Sequence, residues 1–259
     1  MAFSKQSSVN GFSNFNGMDL KAHYRKLYVE SLEMISADRY ELDTLLDSKD
    51  DRRFGITLII RPSDEVKEAI QSFLEALKKV EPYQYYYPSS DIHITVMSII
   101  SCYEGFNLET IDLPKYIGLI NKCLPKEQSL KIQFKGLTAS NSCIMVQGFV
   151  ENKLLNEIRN NLRVEFNASN LEQSLDKRYA IQTAHSTVVR FRKQFKQKDR
   201  FLKLIDYFSD YNFGSFEVKN LELVYNDWYQ RKTFVKKLHQ FEIFIVFSHT
   251  GLPVKNRTI

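Results

Sequence analysis

Residues 91–100, DIHITVMSII, set a polar pair into an otherwise apolar, β-branched run. Residues i and i+2 of a β-strand point to the same face of a sheet. A strand here would therefore present His93 and Thr95 together, and would turn Ile94 and Val96 to the opposite face. A single His-x-Thr pair in a strand is usually incidental, so its meaning depends on whether the pattern recurs.

The pattern recurs 92 positions downstream, where the stretch TAHSTVVRF carries His185 and Thr187 at the same spacing. Each pair is predicted on a strand that follows a helix, and each is followed by a helix and two strands. Helices are predicted at residues 64–80, 113–124, 152–167 and 198–208. Strands are predicted at residues 53–61, 91–100, 129–140, 141–150 and 179–191. A closing strand pair is predicted from the stretches GSFEVKNLELVYND and RKTFVKKLHQFEIFIVF. This alternation with hairpins predicts an α+β fold with mainly antiparallel sheets.

Three regions are predicted along the 259 residues. Residues 1–50 form an N-terminal arm with one helix, in which Leu20, Tyr24, Leu27 and Met34 would share a buried face. Residues 51–248 form a single domain of two interleaved lobes. Residues 249–259 show no periodicity and are expected to form a loose tail.

Composition limits the function classes. The net charge of +5 permits an anionic substrate without demanding nucleic acid. Cys102, Cys123 and Cys143 are odd in number and far apart, which argues against a disulfide framework or a zinc site. The chain shows neither an apolar run of the ~18 residues that a membrane helix needs nor a signal-peptide pattern. We therefore expect a cytoplasmic, monomeric protein without a membrane segment.

Two His-x-Thr strands facing each other would surround a cleft with two imidazoles and two hydroxyls, which suits phosphodiester chemistry. A neutral histidine can take a proton from the attacking hydroxyl or water, and a protonated one can give a proton to the leaving oxygen, since the unperturbed pKa of histidine is about 6.5. The threonine hydroxyls can hold non-bridging phosphate oxygens. Neither a metal nor another cofactor is required, and which histidine is the acid stays open.

The peptides HITV and HSTV resemble the paired H-x-T-x motifs of the 2H phosphoesterase superfamily, and the resemblance extends over residues 52–247. It implies a bilobal, pseudo-two-fold α+β fold, with two mainly antiparallel sheets around a central cleft and helices outside. It also implies an active-site quartet, in which His93 and His185 are catalytic and Thr95 and Thr187 bind substrate. Arg190 matches a basic residue that often follows the second motif, which makes it a third substrate-binding residue.

Two features depart from the family pattern. Ala184 stands where a proline commonly precedes the second histidine, and the N-terminal helix is additional. These departures leave the subfamily and the substrate open, whereas the quartet is intact.

The predicted function is that of a metal-independent phosphoric diester hydrolase, a cyclic phosphodiesterase of the RNA 2′-5′ ligase-like group. Its substrate would be a 2′,3′-cyclic phosphate or a 2′-5′ linkage in a nucleotide or short RNA. Two other classes stay open: a sugar mutarotase, because anomer exchange also needs one acid and one base, and a non-catalytic RNA- or nucleotide-binding module.

Two further stretches allow both a functional and a structural interpretation. The basic run RFRKQFKQKDR at residues 190–200 could guide RNA phosphates, or could be the solvated approach to a helix. A tyrosine of YQYYYP at residues 83–88 could stack on a base, or the stretch could be a packed loop.

Overall fold

Five helices and nine strands make up the part of the chain that the computed structural model describes, which is residues 19–125, 129–177 and 180–243. The helices are α1 (Leu20–Ser36), α2 (Asp64–Val80), α3 (Leu113–Cys123), α4 (Leu154–Ala168) and α5 (Lys198–Tyr207). The strands are β1 (Arg53–Ile60), β2 (Tyr85–Tyr86), β3 (Ile94–Glu104), β4 (Lys131–Ala139), β5 (Cys143–Val150), β6 (Ser186–Arg190), β7 (Asn212–Glu217), β8 (Asn220–Asp227) and β9 (Lys236–Glu242).

The strands form two sheets in which every pairing is antiparallel. One sheet has the order β3-β1-β8-β9 and the other the order β2-β6-β5-β4-β7. The motif strands hold equivalent places, because β3 pairs with β1 as β6 pairs with β5. The α+β class with mainly antiparallel sheets is confirmed.

The predicted closing strand pair is confirmed for β8 and β9, which pair antiparallel, and is wrong in treating its first stretch as a single strand. The stretch GSFEVKNLELVYND divides at residues 218–219 into β7, which pairs with β4, and β8, which pairs with β1 in the other sheet. The two lobes therefore exchange strands, and the resemblance between them lies in the sheets and not in two successive halves of the chain. Local periodicity cannot reveal this exchange, because both strands alternate in the same way.

Amphipathic helices cover the sheets as their sequences predict. The buried stripe of α2 contains Val66, Ile70, Phe73 and Leu77, and its first turn is acidic while its last is basic, which complements the helix dipole. The stripe of α4 is likewise buried. Within the described residues, no helix combines the length and the apolar character needed to cross a membrane.

Helix α1 is present but rotated relative to its predicted face. Its buried residues are Leu20, Tyr24, Tyr28, Ser31 and Ile35, whereas Leu27 and Met34 are half-buried. The two tyrosines pack toward the five-stranded sheet, and this packing decides the rotation. The predicted tail at residues 249–259 and the first 18 residues lie outside the described part of the chain.

The predicted strand positions of both histidines need correction. His93 and His185 each lie one residue before their strand, β3 or β6, and residues 180–185 are not a strand. The backbone there is held by side chains from helices and not by a neighbouring strand, as described below. The two sites remain equivalent, because each histidine lies one residue before its strand.

Candidate active site

A cavity of about 150 Å³ contains the predicted residues of both motifs in its lining. The imidazoles of His93 and His185, the hydroxyls of Thr95 and Thr187, and the guanidinium of Arg190 all contribute to its wall. Residues that the sequence separates by about 90 positions are thus brought to one place. The structure fixes this juxtaposition, while the chemical roles of the residues stay predictions.

A β-bulge follows each threonine. The residues on either side of Val96 pair with successive residues of β1, and the residues on either side of Val188 pair with successive residues of β5. One extra residue changes the phase of a strand, so that the third residue after the threonine returns to the cleft. These third residues are Ser98 and Arg190, and both line the cavity. Arg190 therefore occupies in one lobe the position of a serine in the other.

His93 is held through one ring nitrogen by the backbone. Its Nδ1 lies 2.7 Å from the carbonyl oxygen of Asp91. A carbonyl can only accept a hydrogen bond, so Nδ1 carries the proton of the neutral ring and Nε2 is left as the basic nitrogen. Burial lowers the pKa of His93 to about 4, and the positive charges of Arg61 and Arg190 act in the same direction.

His185 is held in a similar way by a side chain. Its Nδ1 lies 2.6 Å from the hydroxyl oxygen of Thr183. Burial is again the main reason that the pKa of His185 falls to about 4, with a smaller contribution from the charge of Arg159. Both imidazoles are therefore neutral at neutral pH.

Arg159 of α4 connects the two motifs. Its side chain is buried, and its Nε donates to the carbonyl oxygen of Val96 at 3.0 Å. Its Nη2 donates to the carbonyl oxygens of Thr95 at 3.0 Å and Thr183 at 2.8 Å. Burial lowers the pKa of Arg159, but a guanidinium stays protonated in proteins. One charged group thus binds the bulge of the first motif and the segment that leads into the second.

Arg190 is fixed before any ligand arrives. Its Nε donates to the hydroxyl of Tyr87 at 3.0 Å, its Nη1 lies 3.4 Å from Oδ2 of Asp43, and its guanidinium stands over the ring of Tyr229 at 5.4 Å. Tyr87 belongs to YQYYYP, is buried, and lines the cavity. Its structural role accords with the packed-loop interpretation of that stretch, since Tyr85 and Tyr86 form β2 at the edge of β6.

Other cavity residues were missed by sequence reasoning. Ser98 and Ser101 follow Thr95 at intervals of three, and this spacing would have revealed them had the bulges been recognised. Ser174 lies in the connection between α4 and β6. Its backbone N–H donates to the carbonyl oxygen of Ile99 at 2.9 Å, along the open edge of β3. Trp228, the single tryptophan, follows β8. These last two depend on tertiary structure and carry no local signal.

The basic run at residues 190–200 is mainly structural. Its aromatic rings are packed inside: Phe191 is fully buried, and Phe195 lies 4.8 Å from the ring of Phe201. Lys198 pairs with Asp38 at 2.7 Å, and the Nζ of Lys196 lies 4.4 Å from the ring centre of Tyr83. The interleaved aromatics are therefore committed to the core and do not offer a stacking surface for bases.

Two further observations concern the cysteine thiols and the side chains that could bind a metal ion. Cys102, Cys123 and Cys143 are buried and unbridged. Among residues 19–125, 129–177 and 180–243, no group of three or more His, Cys, Asp or Glu side chains is arranged to hold a metal ion.

Comparison with known proteins gives one family match. Residues 57–242 match the family model described as the AKAP7 2′5′ RNA ligase-like domain. A search of curated proteins found no match.

Solved structures share the fold at low sequence identity. Escherichia coli LigT complexed with 3′-AMP is 14% identical, with a TM-score of 0.50, and the alignment covers 74% of this chain and 98% of LigT. A conserved protein of unknown function from Agrobacterium tumefaciens, ATU0111, is 12% identical, with a TM-score of 0.54, and the alignment covers 83% of this chain and 97% of that protein. At such identities the likeness concerns the fold alone.

The bridging role of Arg159 predicts a large loss of stability when it is replaced. Arg159→Leu would leave the carbonyls of Thr95, Val96 and Thr183 without their donor, and each buried carbonyl that loses a partner costs about 1–3 kcal/mol. We expect a fall of about 3 kcal/mol or more in the free energy of unfolding, measured by urea denaturation.

Arg163→Leu on the same helix is the matched control. Arg163 is half-buried, pairs with Asp176 and donates to one backbone carbonyl, that of Ile181 at 3.2 Å, so its replacement should cost less, about 1–2 kcal/mol. Equal losses for the two variants would contradict the special role of Arg159.

Proposed function

Because the chain belongs to the AKAP7 2′5′ RNA ligase-like domain family, within the 2H phosphoesterase superfamily, we propose that it hydrolyses a phosphodiester by two-histidine acid–base catalysis. The observation that carries this proposal is the meeting of two equivalent His-x-Thr motifs at one cavity, each with Nδ1 of its ring engaged by the protein. The proposed substrate is a 2′,3′-cyclic phosphate or a 2′-5′ linkage in a nucleotide or short RNA. The 3′-AMP named for the LigT complex supports a nucleotide as the class of ligand.

In this mechanism each imidazole works through Nε2. One neutral ring takes a proton from water as the water oxygen attacks phosphorus. The bond from phosphorus to the ribose oxygen breaks, and the other ring, protonated, gives its proton to that oxygen. At the end the two rings have exchanged protonation states, and a proton transfer through solvent restores the starting state.

The remaining polar groups would hold the phosphate between the rings. On this proposal the hydroxyls of Thr95 and Thr187, which line the cavity, would donate to non-bridging oxygens, and Arg190 would supply a positive charge. Arg190 is pre-organised by Tyr87 and Asp43, so little side-chain entropy is lost when it binds. Cys102, Cys123 and Cys143 form no disulfide with one another, which fits the reducing cytoplasm, where we propose that the protein acts, as a monomer.

Removal of either histidine should abolish most turnover. His93→Ala and His185→Ala are each expected to lower kcat by ~10²- to 10⁴-fold, because general acid–base assistance has this typical size. Thr95→Ala and Thr187→Ala should lose less, since each removes one hydrogen bond. The assay is hydrolysis of 2′,3′-cyclic AMP and of 2′-5′-linked diadenylate by the folded proteins, with EDTA present.

His239→Ala is the control, because His239 lies on β9 and does not line the cavity. We expect wild-type activity for this variant and no effect of EDTA. Near wild-type activity of either His93→Ala or His185→Ala would refute the mechanism. Absence of turnover by the wild type on all cyclic and 2′-5′ substrates would favour the mutarotase or the binding module, which a mutarotation assay and a nucleotide titration would separate.

The rate should rise as the pH falls from 8 to 6. Burial lowers the pKa of both His93 and His185 to about 4, so above that value both are neutral, and the catalytic form with one imidazolium becomes commoner as protons are added. We expect kcat/KM to increase by up to roughly ten-fold per pH unit over this range, and the profile would report macroscopic values of the pair. A flat or opposite profile, with circular dichroism showing folded protein throughout, would contradict this assignment.

Arg190 should contribute to phosphate binding while its neighbour in the basic run should not. Arg190→Met is expected to weaken binding of 3′-AMP by roughly ten-fold or more, as the loss of a charge-assisted contact does, and to reduce the salt dependence of the affinity. Lys196→Met is the matched control, because Lys196 stands over Tyr83 and not in the cavity wall. The fluorescence of Trp228, which lines the cavity, reports binding. Equal losses of 3′-AMP affinity for both variants would indicate that the basic run takes part in phosphate binding.

A further inference from the structure

The turn that follows β8 holds Gln230 in an unusual backbone conformation. Gln230 has a φ of +60°, in the left-handed region that residues with a side chain adopt uncommonly. The backbone N–H and the Nε of Arg231 donate to the two carboxylate oxygens of Asp227, at 2.9 Å and 2.6 Å, and so close the turn around Gln230. Glycine would adopt this conformation with less strain, so the presence of a glutamine needs a reason other than the turn itself.

The side chain of Gln230 belongs to the wall of the cavity that contains both motifs, and Gln230 is only 4% exposed. Its neighbours connect the turn to the two motifs. On one side, the ring centre of Tyr229 lies 5.4 Å from the guanidinium of Arg190. On the other side, the backbone N–H of Lys232 donates to the carboxylate of Asp91, just before the first motif, at 3.0 Å. Gln230 is therefore held among groups that surround the phosphate position of the proposed mechanism.

Two side-chain amides near this turn have an oxygen without a hydrogen-bond donor. Among the described residues, neither Oε1 of Gln230 nor Oδ1 of Asn226 has a partner, although both residues are buried and both line the cavity. The two residues are close together, because Nδ2 of Asn226 and the backbone N–H of Gln230 donate to the same carbonyl oxygen, that of Asp227, at 2.8 Å and 3.3 Å. The bond from Nδ2 also establishes which end of the Asn226 amide is the oxygen. A buried acceptor without a donor is unfavourable, so this part of the wall favours a ligand that brings a donor.

The chemistry of a ribonucleotide suggests which donor this is. An amide oxygen can only accept, so it does not bind a phosphate oxygen, which is an acceptor as well. When a phosphate is attached to the 3′ oxygen of a ribose, the neighbouring carbon carries the 2′ hydroxyl, and the reverse holds for a 2′ phosphate. This hydroxyl is the donor of the nucleotide that lies nearest to the phosphate, whereas the amino groups of the bases lie farther away. A 2′-hydroxyl is also the group by which a protein can distinguish RNA from DNA.

We propose that Gln230, together with Asn226, binds the ribose hydroxyl next to the phosphate and thereby selects ribonucleotides over 2′-deoxyribonucleotides. The hydroxyl gives its proton to the amide oxygens, which otherwise lack a donor among the described residues. The strained turn is kept because it directs this amide into the cavity. The inference rests on the proposed function for the class of ligand and the place of its phosphate, and it makes no use of the acid–base step.

The test compares the affinities of 3′-AMP and 2′-deoxy-3′-AMP for the intact chain by isothermal titration calorimetry. The wild type should bind 3′-AMP roughly five- to ten-fold more tightly, as expected for one hydrogen bond to a buried acceptor. Gln230→Gly should weaken the binding of 3′-AMP by a similar factor and change the affinity for 2′-deoxy-3′-AMP by less than about two-fold. A disturbance of the turn alone would weaken both ligands equally, so the loss for one ligand isolates the contact with the hydroxyl.

The same substitution should leave thermal stability unchanged or raise it, because glycine relieves the left-handed backbone. Asp38→Gly is the matched control, since Asp38 also has a positive φ, 54°, and does not line the cavity. This control should keep the full preference for 3′-AMP. Gln230→Met keeps the length of the side chain and removes the amide, and it should show the same selective loss even if the glycine variant fails to fold.

Wild-type protein that binds the two nucleotides equally would overturn the proposal, because the amide oxygens would then be served by water only. A preference for 3′-AMP that survives in Gln230→Met would overturn it as well. A preference for 3′-AMP over 3′-IMP that this variant removes would assign the amide to the amino group of the base instead. A wild type that prefers the ribonucleotide and hydrolyses no phosphodiester would refute the proposed function, while the affinities would still decide the role of Gln230.

Discussion

The cleft depends on the contact between the guanidinium of Arg159 and three backbone carbonyls. The described strands of the two sheets do not pair with each other, and the backbone link between the motifs runs through β2, which precedes the first motif and pairs with β6 of the second. Arg159 supplies a connection that β-structure does not, because its planar fork can donate to several carbonyls at once. Two of them belong to the first motif and one to the segment before the second. Arg159 thus adds a side-chain anchor to the backbone link that β2 makes.

The bulges explain why the carbonyls at this point need an outside donor. An extra residue interrupts the ladder, and the carbonyl of Val96 is turned toward α4 and not toward a neighbouring strand. An unpaired buried carbonyl is costly, and a guanidinium removes that cost at the price of its own desolvation. The same bulges bring Ser98 and Arg190 into the cleft. Backbone irregularity, the buried cation and the composition of the site are thus consequences of one local arrangement.

The sequence was sufficient for those features that depend on local pattern. The spacing of His93 and Thr95, its recurrence at His185 and Thr187, and the stripe of α2 follow from strand and helix periodicity. The bulges were missed although they leave a mark in the sequence, because the polar residues Thr95, Ser98 and Ser101 recur at every third position and not at every second. The interleaving of β7 and β8 and the contact of Tyr24 with Gly148 of β5 depend on tertiary packing. The role of Arg159 was missed for another reason: an arginine on an amphipathic helix is expected to face solvent unless its burial is known.

The surroundings of His93 and His185 set the pKa values of the two imidazoles, and these values decide when each ring is protonated. Burial and nearby cations lower the pKa of each imidazole from 6.5 to about 4, a few hundred-fold in proton affinity. A phosphate anion about 4 Å from an imidazolium stabilises it by about 4 kcal/mol at an effective dielectric constant of about 20, which is roughly a thousand-fold. The two effects are of similar size and opposite sign, so on the proposed mechanism a bound phosphodiester would favour a proton on one ring. The other ring would stay neutral, because a second proton would face the repulsion of the first. The substrate itself would then convert one of the two bases into the acid.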